Sequence, residues 1–349
     1  MINRLFVYGT LLQGEIRNNL LADWHLIDTL ETEGTLYDTD FGYPAADFSD
    51  KKGKIFGEIY HCDKDDIEAK LHAIDLEEGV SKNLFERIII ESNGLKFFAY
   101  NISDKLRSTK NSYSQIISGN WRKYGSITPN NISSFAINFE KTQSKRYRVF
   151  PASDFSSFVY IKGDKPILIV SSHATAHKRE GKLKSQEIYT GAISVILNSV
   201  SGVHSLYTIY ASQFDSNYCE TTELKQYIGK LVSRYKIKFV LDIHGTGSYR
   251  KFDIYPGIGK TDEFLNGYRF LMTDLEKVLN ENNIKIGGTD VFPAYRQHTV
   301  SRFVNSELKI PSMQIEINKK YRDPESDSHL FEKLINTLVE YLKTVSRSI

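Results

Sequence analysis

Hydrophobic and polar positions follow different patterns in the first and last parts of the chain. The first part has short apolar runs that are rich in β-branched and aromatic residues and separated by glycine turns, which is typical of strands. Strands are predicted at 5–8, 34–37, 54–60, 84–91 and 95–102. Over 63–74 the apolar residues Ile67, Leu71 and Ile74 recur at helical spacing instead. This pattern predicts a small α+β domain with a β-barrel-like sheet.

Beyond residue 165 the pattern changes to apolar runs that alternate with amphipathic helices. The runs at 166–171 and 239–243 are short and continuous, as in strands buried on both faces, and a further strand is predicted at 313–317. Helices are predicted at 186–200, 224–235, 262–280 and 329–345. This alternation indicates an α/β three-layer sandwich with a mostly parallel central sheet.

The segment between these two patterns is polar and turn-rich. Residues 128–134 read Thr-Pro-Asn-Asn-Ile-Ser-Ser, and hydrophobic periodicity fades around them. A chain of 349 residues also exceeds the usual size of one domain. We therefore predict a first domain at 1–125, a linker at 126–148 and a second domain at 149–349.

Composition and charge narrow the class of protein. Basic and acidic residues nearly balance, 45 against 43, so neither nucleic acid nor a membrane surface is predicted as a partner. The two cysteines, Cys62 and Cys219, exclude a disulfide framework or a zinc ribbon. No apolar stretch has the length of a membrane span or the form of a signal peptide, and a cytoplasmic protein is predicted.

Two short motifs in the first domain carry chemistry. A strand enters the glycine turn Tyr8-Gly9-Thr10-Leu11, and the predicted helix ends in Asp75-Leu76-Glu77-Glu78-Gly79. Each motif alone is common, since strand–glycine turns and acidic helix ends usually have only a structural role. Together and in this order they resemble the γ-glutamyl cyclotransferase family of AIG2-like proteins, with further likeness at 34–37, 43–45, 57–60, 85–87 and 118–121.

This resemblance implies the chemistry of cyclotransfer. The α-amino nitrogen of a γ-glutamyl compound attacks its own γ-carbonyl, which expels an amine and leaves 5-oxoproline. By resemblance Glu78 is the catalytic base and then the acid, and Glu77 is expected to be exposed. The turn formed by Tyr8, Gly9, Thr10 and Leu11 is expected to bind the substrate through its backbone N–H groups. No cofactor is implied for this domain.

Two histidines in the second domain each follow a buried strand. His173 lies just past 166–171 and His244 just past 239–243, where a metal site at the carboxyl edge of a sheet needs them. One such histidine is more often structural, but two in equivalent positions with acids nearby favour metal ligation. Two imidazoles and one carboxylate are typical ligands of a catalytic Zn²⁺.

The surroundings of His173 resemble the N-formylglutamate amidohydrolase family, which is related to zinc carboxypeptidases and aspartoacylases. The likeness spans about residues 150–345 and includes Ser172-His173, the Tyr-Thr-Gly run at 189–191 and the Gln-x-Glu-Ile run at 314–317. It implies Glu187 as the third metal ligand, with Glu180 as the alternative, and Glu316 as the general base. Asp242, two residues before His244, is expected to orient a ligand.

Substrate recognition in the second domain rests on fewer residues. Asp215-Ser216-Asn217 matches the Asp-x-Asn of the family, and Tyr218 stands where the family has arginine. Asn217 is the expected substrate contact, and His177 is either near the site or a solvated loop residue. Candidates to bind a substrate carboxylate through a bidentate guanidinium are Arg179, Arg302 and Arg322.

Both resemblances concern glutamyl-type amides. They predict a bifunctional enzyme for γ-glutamyl or N-acyl-amino-acid compounds, either small molecules or short peptides, with one Zn²⁺ in the second domain. The alternative is a zinc peptidase or peptide-maturation enzyme whose first domain only binds or trims γ-glutamyl groups.

Overall fold

The computed structural model describes residues 2–63, 67–108, 113–128, 131–152 and 155–349. The chain divides into two compact units, Met1–Thr128 and Pro129–Ile349. This division falls inside the predicted linker. Residues 64–66 of the predicted first helix and residues 129–130 of the predicted linker lie outside the described residues.

The first unit consists mainly of short strands. In chain order these are β1 (Arg4–Val7), β2 (His25–Glu33), β3 (Thr35–Asp38), β4 (Pro44–Asp47), β5 (Lys54–His61), β6 (Phe85–Ser92), β7 (Leu95–Ile102) and β8 (Ser114–Gln115). Helix α1 (Ile67–Glu77) lies between β5 and β6, and the short helix α2 (Asp104–Ser108) follows β7.

The strands of this unit form two sheets. The larger has the order β2-β5-β1-β7-β6, with β1 and β7 parallel, and the smaller has the order β4-β3-β8. β4 contacts β7 and β3 contacts β5, so the smaller sheet packs against the larger one in a barrel-like arrangement. The sequence analysis misses β2 because only Leu26 and Thr32 of this edge strand are buried, which leaves little hydrophobic alternation.

A buried ion pair supports the loop that follows β1. Arg122 Nη2 lies 2.9 Å from Glu58 Oε1, and both side chains are almost completely buried. The other oxygen of Glu58 accepts hydrogen bonds from the backbone N–H of Gln13 (2.7 Å) and from the hydroxyl of Tyr60 (3.0 Å). Arg122 also donates to the carbonyl oxygen of Gln13. Both backbone polar groups of Gln13 are thus bound, which fixes the loop that begins at Tyr8.

Replacing Glu58 by glutamine is expected to lower the unfolding free energy of the first unit by about 3–5 kcal/mol, because it removes the counter-charge of a buried guanidinium. Both tryptophans, Trp24 and Trp121, belong to this unit, so tryptophan fluorescence during urea denaturation of the full chain reports on it alone. Adding Arg122→Met to Glu58→Gln is expected to recover part of the loss. A wild-type denaturation midpoint for Glu58→Gln alone would show that the pair does not support the fold.

The second unit alternates strands and helices. Its strands are β9 (Phe158–Ile161), β10 (Lys165–Ser171), β11 (His177–Arg179), β12 (Lys182–Lys184), β13 (Val203–Thr208), β14 (Phe239–Thr246), β15 (Ile254–Gly257) and β16 (Ser312–Asn318). Its helices are α3 (Ile132–Gln143), α4 (Thr190–Ser201), α5 (Glu223–Tyr235), α6 (Phe270–Glu281), α7 (Val300–Leu308), α8 (Lys319–Arg322) and α9 (Ser328–Ser348).

The main sheet of this unit has the order β15-β16-β14-β10-β13-β9. The four central strands are parallel, and the two edge strands are antiparallel to their neighbours. Leu168, Val170 and Val240 pack against residues of α5 and α7, whereas α4 and α9 contact the same central strand β10. Helices on both faces are compatible with the predicted α/β sandwich. The likeness to zinc carboxypeptidases remains a prediction.

The sequence predicts a linker over 126–148, but residues 132–143 form α3, which corrects the predicted boundary. Phe139 is buried and packs on Tyr207 with 5.7 Å between ring centroids. Glu140 accepts a hydrogen bond from the backbone N–H of Tyr189 (2.8 Å), and Gln143 donates to the carbonyl oxygen of Thr208 (3.1 Å). Serine, asparagine and β-branched residues in this segment have low helix propensity, so sequence reasoning favours a loop there.

Two predicted helices also begin later than their hydrophobic pattern. The helix predicted at 186–200 begins at Thr190, so Glu187 lies before it, and the one predicted at 262–280 begins at Phe270. Among the described residues, no helix combines the length and apolar character needed to cross a membrane.

Candidate active sites

The first candidate site is a small pocket in the first unit. The end of β1, the turn after it, the start of β4 and the segment after α1 surround this pocket. Its lining residues are Phe6, Val7, Tyr8, Gly9, Thr10, Leu11, Arg17, Tyr43, Pro44, Glu78 and Tyr100. The two sequence motifs, far apart in the chain, therefore meet in one pocket.

The turn after β1 is shaped by its backbone. The N–H of Leu12 donates to the carbonyl oxygen of Gly9, and the N–H of Arg17 donates to that of Thr10, both at 2.9 Å. A Cβ atom on Gly9 would lie 2.6 Å from Cγ of Pro44. Glycine is needed here because Pro44 closes against the turn from the other side of the pocket.

Glu78 lies directly after α1 and is part-buried. Its pKa is raised towards neutral pH. Burial raises the pKa of this carboxyl from 4.5 to about 7; Arg17 lowers it and Glu77 raises it. A carboxyl group with a pKa near 7 is suited to both accept and return a proton at neutral pH.

Arg17 is a pocket residue that the sequence analysis does not identify. Its Nε atom lies 3.0 Å from Oε1 of the exposed Glu77, and its guanidinium carbon lies 5.8 Å from the centre of the Tyr43 ring. Glu77 is exposed, as expected, and its ion pair with Arg17 keeps the Arg17 side chain at the pocket. Arg17 lies outside the family motifs, so no sequence signal marks it.

The hydroxyl of Tyr8 is bound to the protein. It donates to the carbonyl oxygen of Tyr100 at 2.6 Å, and the hydroxyl of Tyr100 donates to Asp75 at 2.8 Å. Burial, followed by the charge of Glu78, raises the pKa of Tyr8 well above its ordinary value. Tyr8 is therefore a neutral wall of the pocket, and its backbone and ring remain to contact a ligand.

The second candidate site lies at the carboxyl ends of the central strands of the second unit, in a pocket of about 310 Å³. His173 follows β10, whereas His244 on β14 and Glu316 on β16 are paired in register. The lining residues are His173, Arg179, Glu187, Asn217, His244, Val291, Phe292, Pro293, Ala294, Arg296, Gln297, Thr299, Gln314 and Glu316. Sheet topology thus brings together His173, His244 and Glu316.

Three side chains in this pocket could hold a metal ion. Oε1 of Glu187 lies 3.1 Å from Nδ1 of His173, and Oε2 of Glu187 lies 3.1 Å from Nδ1 of His244. One ligand atom from each residue fits within 4.8 Å of the others. Two imidazole nitrogens and a carboxylate that converge in this way fit a catalytic Zn²⁺.

The opposite nitrogen of each imidazole faces a buried carboxylate. His173 Nε2 lies 2.8 Å from Asp215 Oδ1, and His244 Nε2 lies 3.0 Å from Asp242 Oδ2. Such carboxylates orient metal-binding imidazoles and determine which ring nitrogen carries a proton. The sequence analysis expects this contact for Asp242, whereas the contact of Asp215 with His173 emerges only from the fold.

The carboxylates make this site favourable for positive charge. Burial alone disfavours charged histidine, but Glu187 and Asp215 raise the pKa of His173 to about 9. Burial acts in the same direction on His244, yet Asp242 and Glu187 raise its pKa well above the ordinary value. A divalent cation matches this surplus of negative charge.

Glu316 stands beside the three convergent side chains, and its neighbour Gln314 donates a hydrogen bond to it at 3.0 Å. Burial raises the pKa of Glu316 to about 7, and the attraction of His244 offsets only part of this shift. Burying a carboxyl group in a strand costs free energy, so the position of Glu316 suggests that this group has a function.

A second cluster, formed by His173, His177 and Asp215, also has ligand atoms within 4.8 Å of one another. However, Nε of Arg179 lies 2.6 Å from Oδ2 of Asp215, so a fixed cation already neutralises this carboxylate. The ring of His177 stacks on that of His173 with 3.8 Å between centroids, and burial and His173 lower the pKa of His177 to about 4. This cluster supports His173 through neutral stacking and hydrogen bonding.

Asn217 is buried in the wall between the two histidines. Its Nδ2 donates to Ser172 Oγ at 2.8 Å and lies 2.9 Å from His244 Nε2. Its Oδ1 accepts a hydrogen bond from the backbone N–H of Val300 at 2.7 Å. The side chain expected to contact substrate is therefore engaged with the protein, and it connects the start of α7 to the site.

The candidate arginines occupy three different environments. Arg179 lines the pocket. Arg302 is exposed and donates to the carbonyl oxygens of Tyr295 (3.1 Å) and Gln297 (3.4 Å), so it braces the loop that forms one pocket wall. Arg322 is buried and bonds to backbone carbonyl oxygens. Of the three, only Arg179 is among the residues that line this pocket, and substrate binding by any of these arginines stays a prediction.

Two further positions complete the pocket. Glu180, the alternative third ligand, lies in the exposed turn between β11 and β12 and accepts a hydrogen bond from the hydroxyl of Tyr218. Arg296 and Gln297 line the pocket from an irregular segment that carries no motif, which is why sequence reasoning misses them.

Comparison with known proteins bears on the first unit. Residues 5–123 match the family model described as gamma-glutamyl cyclotransferase, AIG2-like. A search of curated proteins finds no match to the chain.

Similar solved structures each cover part of the chain. An uncharacterized protein from Pyrococcus horikoshii is 23% identical, covers 35% of this chain and 92% of its own, and gives a TM-score of 0.28. An AIG2-like protein from Mus musculus is 20% identical over 29% of this chain and 76% of its own, with a TM-score of 0.24. A gene product from Agrobacterium tumefaciens is 13% identical over 58% of this chain and 99% of its own, with a TM-score of 0.41.

The family match ends at residue 123, so the amidohydrolase resemblance of the second unit remains a prediction. The resemblance stated for the first domain is confirmed by that match. The first unit is a γ-glutamyl cyclotransferase-like domain with the AIG2-like fold.

Proposed function

We propose that the chain is a bifunctional enzyme for glutamyl-type amides. The first unit releases 5-oxoproline and an amine from γ-glutamyl amides. The second unit is a zinc-dependent amidohydrolase that acts on γ-glutamyl or N-acyl-amino-acid compounds. The observation that supports the second activity most directly is that both oxygens of Glu187 face an Nδ1 atom, one from His173 and one from His244.

In the first unit Glu78 moves the protons. It accepts a proton from the substrate ammonium, and the freed amine attacks the γ-carbonyl while the turn after β1 binds the developing oxyanion. The bond from the tetrahedral carbon to the original amide nitrogen then breaks. The α-nitrogen has given up two protons, and both leave on the expelled amine, so that 5-oxoproline remains. Attack within one molecule gains a large effective concentration, so one carboxyl group and a backbone turn suffice.

The pH profile of this reaction is expected to follow Glu78. The base form is required, and burial raises the pKa of Glu78 to about 7, so kcat/KM rises about tenfold per pH unit below that value and levels off above it. Initial rates of 5-oxoproline release between about pH 5 and pH 8 measure this limb. A limb centred near the ordinary glutamate pKa would contradict the assignment of Glu78 as base.

In the second unit His173, Glu187 and His244 would hold the metal ion. A zinc ion bound there would supply Lewis-acid chemistry to the amide carbonyl and would lower the pKa of a water molecule. Glu316, oriented by Gln314, accepts a proton from the attacking water and passes it to the leaving nitrogen. Arg179, at the pocket wall, binds a carboxylate of the substrate.

A zinc peptidase is the second candidate function. The pocket of about 310 Å³ is favourable for this alternative because a pocket of this size can hold a ligand as large as a dipeptide. A screen of the zinc-loaded full chain against γ-glutamyl amines, N-acyl glutamates and short peptides separates the two. Turnover of N-acyl glutamates supports the amidohydrolase, turnover of peptides alone supports the peptidase, and release of 5-oxoproline tests the first unit in the same samples.

A further inference from the structure

One buried guanidinium bonds to the three chain segments that carry Glu187, His244 and Glu316. Arg322 donates from Nε to the carbonyl oxygen of Ile317 at 3.0 Å, from Nη1 to that of Ile188, and from Nη2 to that of Thr246 at 3.4 Å. Ile188 follows Glu187, Ile317 follows Glu316, and Thr246 lies two residues after His244.

The packing around this guanidinium is equally close. A Cβ atom on Gly245 would lie 2.2 Å from Cζ of Arg322, so the plane of the guanidinium rests directly on the backbone of Gly245. The N–H of the same glycine donates to Oε2 of Glu187 at 2.9 Å. Gly245 therefore contacts Arg322 on one side and the carboxylate of Glu187 on the other.

Arginine suits this place for a geometric reason. Its guanidinium is planar and presents donors in fixed directions, so it can donate to three carbonyl groups at once. These hydrogen bonds fix the positions of the three carbonyl groups relative to one another. Lysine carries the same charge but concentrates it at one rotatable ammonium. Charge and geometry can therefore be separated by substitution.

We propose that Arg322 is a positioning residue that sets the spacing between Glu187, His244 and Glu316. This inference rests on the proposed function of the second unit, and it replaces the expectation that Arg322 binds substrate. The guanidinium fixes the metal-binding carboxylate relative to the histidine and the base relative to both, without contact with the substrate.

The test compares Arg322→Lys with Gly245→Ala, which retains the arginine but places a methyl group where its guanidinium rests. Chelator competition is expected to show zinc affinity reduced about 10- to 100-fold in both variants, the usual effect of losing a group that orients metal ligands. With zinc in excess, kcat for amide hydrolysis falls while KM changes less than about twofold, because no substrate contact is lost. Arg269→Lys, at an exposed arginine that pairs with Asp262, is the matched control.

Urea denaturation separates this role from a general structural one. Reduced stability combined with wild-type zinc affinity in both variants would overturn the proposal, and so would a large rise in KM. Wild-type protein that binds no zinc would refute the proposed function instead. In that case nitrogen NMR of the histidines in the metal-free protein still tests the spacing. We expect the contact of His244 Nδ1 with Glu187 to be lost in both variants. A contact that persists in them would contradict the inference.

Discussion

Glu78→Gln is expected to reduce 5-oxoproline release from γ-glutamyl amides by about 10²–10⁴-fold, the usual contribution of a positioned acid–base group. Glutamine keeps the size of the side chain, so the pocket formed with the turn after β1 retains its shape. It cannot accept a proton from the substrate ammonium. KM is therefore expected to change little, and the loss is expected in kcat.

The matched control is Glu91→Gln, which removes an exposed carboxylate of the same unit. Mass spectrometry of the products distinguishes 5-oxoproline from glutamate, the product of simple hydrolysis. If Glu78→Gln releases 5-oxoproline as fast as the control, this carboxyl group is not the acid–base catalyst.

Glu316→Gln is expected to reduce amide hydrolysis in the second unit by about 10²–10⁴-fold while the protein still binds zinc. The reason is that Glu316 lies beside His173, Glu187 and His244 without being one of the convergent ligand set. His244→Ala is expected to lose both zinc and activity. The two variants therefore separate proton transfer from metal binding.

Zinc content by elemental analysis and initial rates of deacylation are the two measurements for this pair. Glu307→Gln, at an exposed glutamate, is the control for loss of charge. Full hydrolysis by Glu316→Gln would assign the proton transfer to another group, and loss of zinc in that variant would make Glu316 a ligand.

The sequence predicts best those features in which hydrophobic pattern and motif coincide. Residues 167–170 and 239–241 are apolar at every position because both faces of a central parallel strand are buried. Residues just past such strands share one edge of the sheet, so His173 and His244 could be paired before the fold was known. The first unit was recognisable because its short motifs occur in family order.

The features that the sequence does not predict depend on contacts between distant segments. Helix α3 resembles a loop in sequence, and its burial comes from Phe139 against Tyr207. Arg17 and Arg322 are single arginines in unremarkable surroundings, and their partners lie on other elements. An arginine that binds a carboxylate and one that binds three carbonyl groups have the same sequence signature, which is why Arg322 is only one of three candidates for a substrate contact in the sequence.

In the proposed function, one chain carries a metal-independent cyclotransferase and a zinc-dependent amidohydrolase. Both products can be measured in one sample that contains the zinc-loaded protein, a γ-glutamyl amide and an N-acyl glutamate, before and after chelation. We expect 5-oxoproline release to be unchanged by the chelator, and deacylation to be lost and then restored by added zinc. Deacylation that survives chelation, or 5-oxoproline release that requires zinc, would contradict this account.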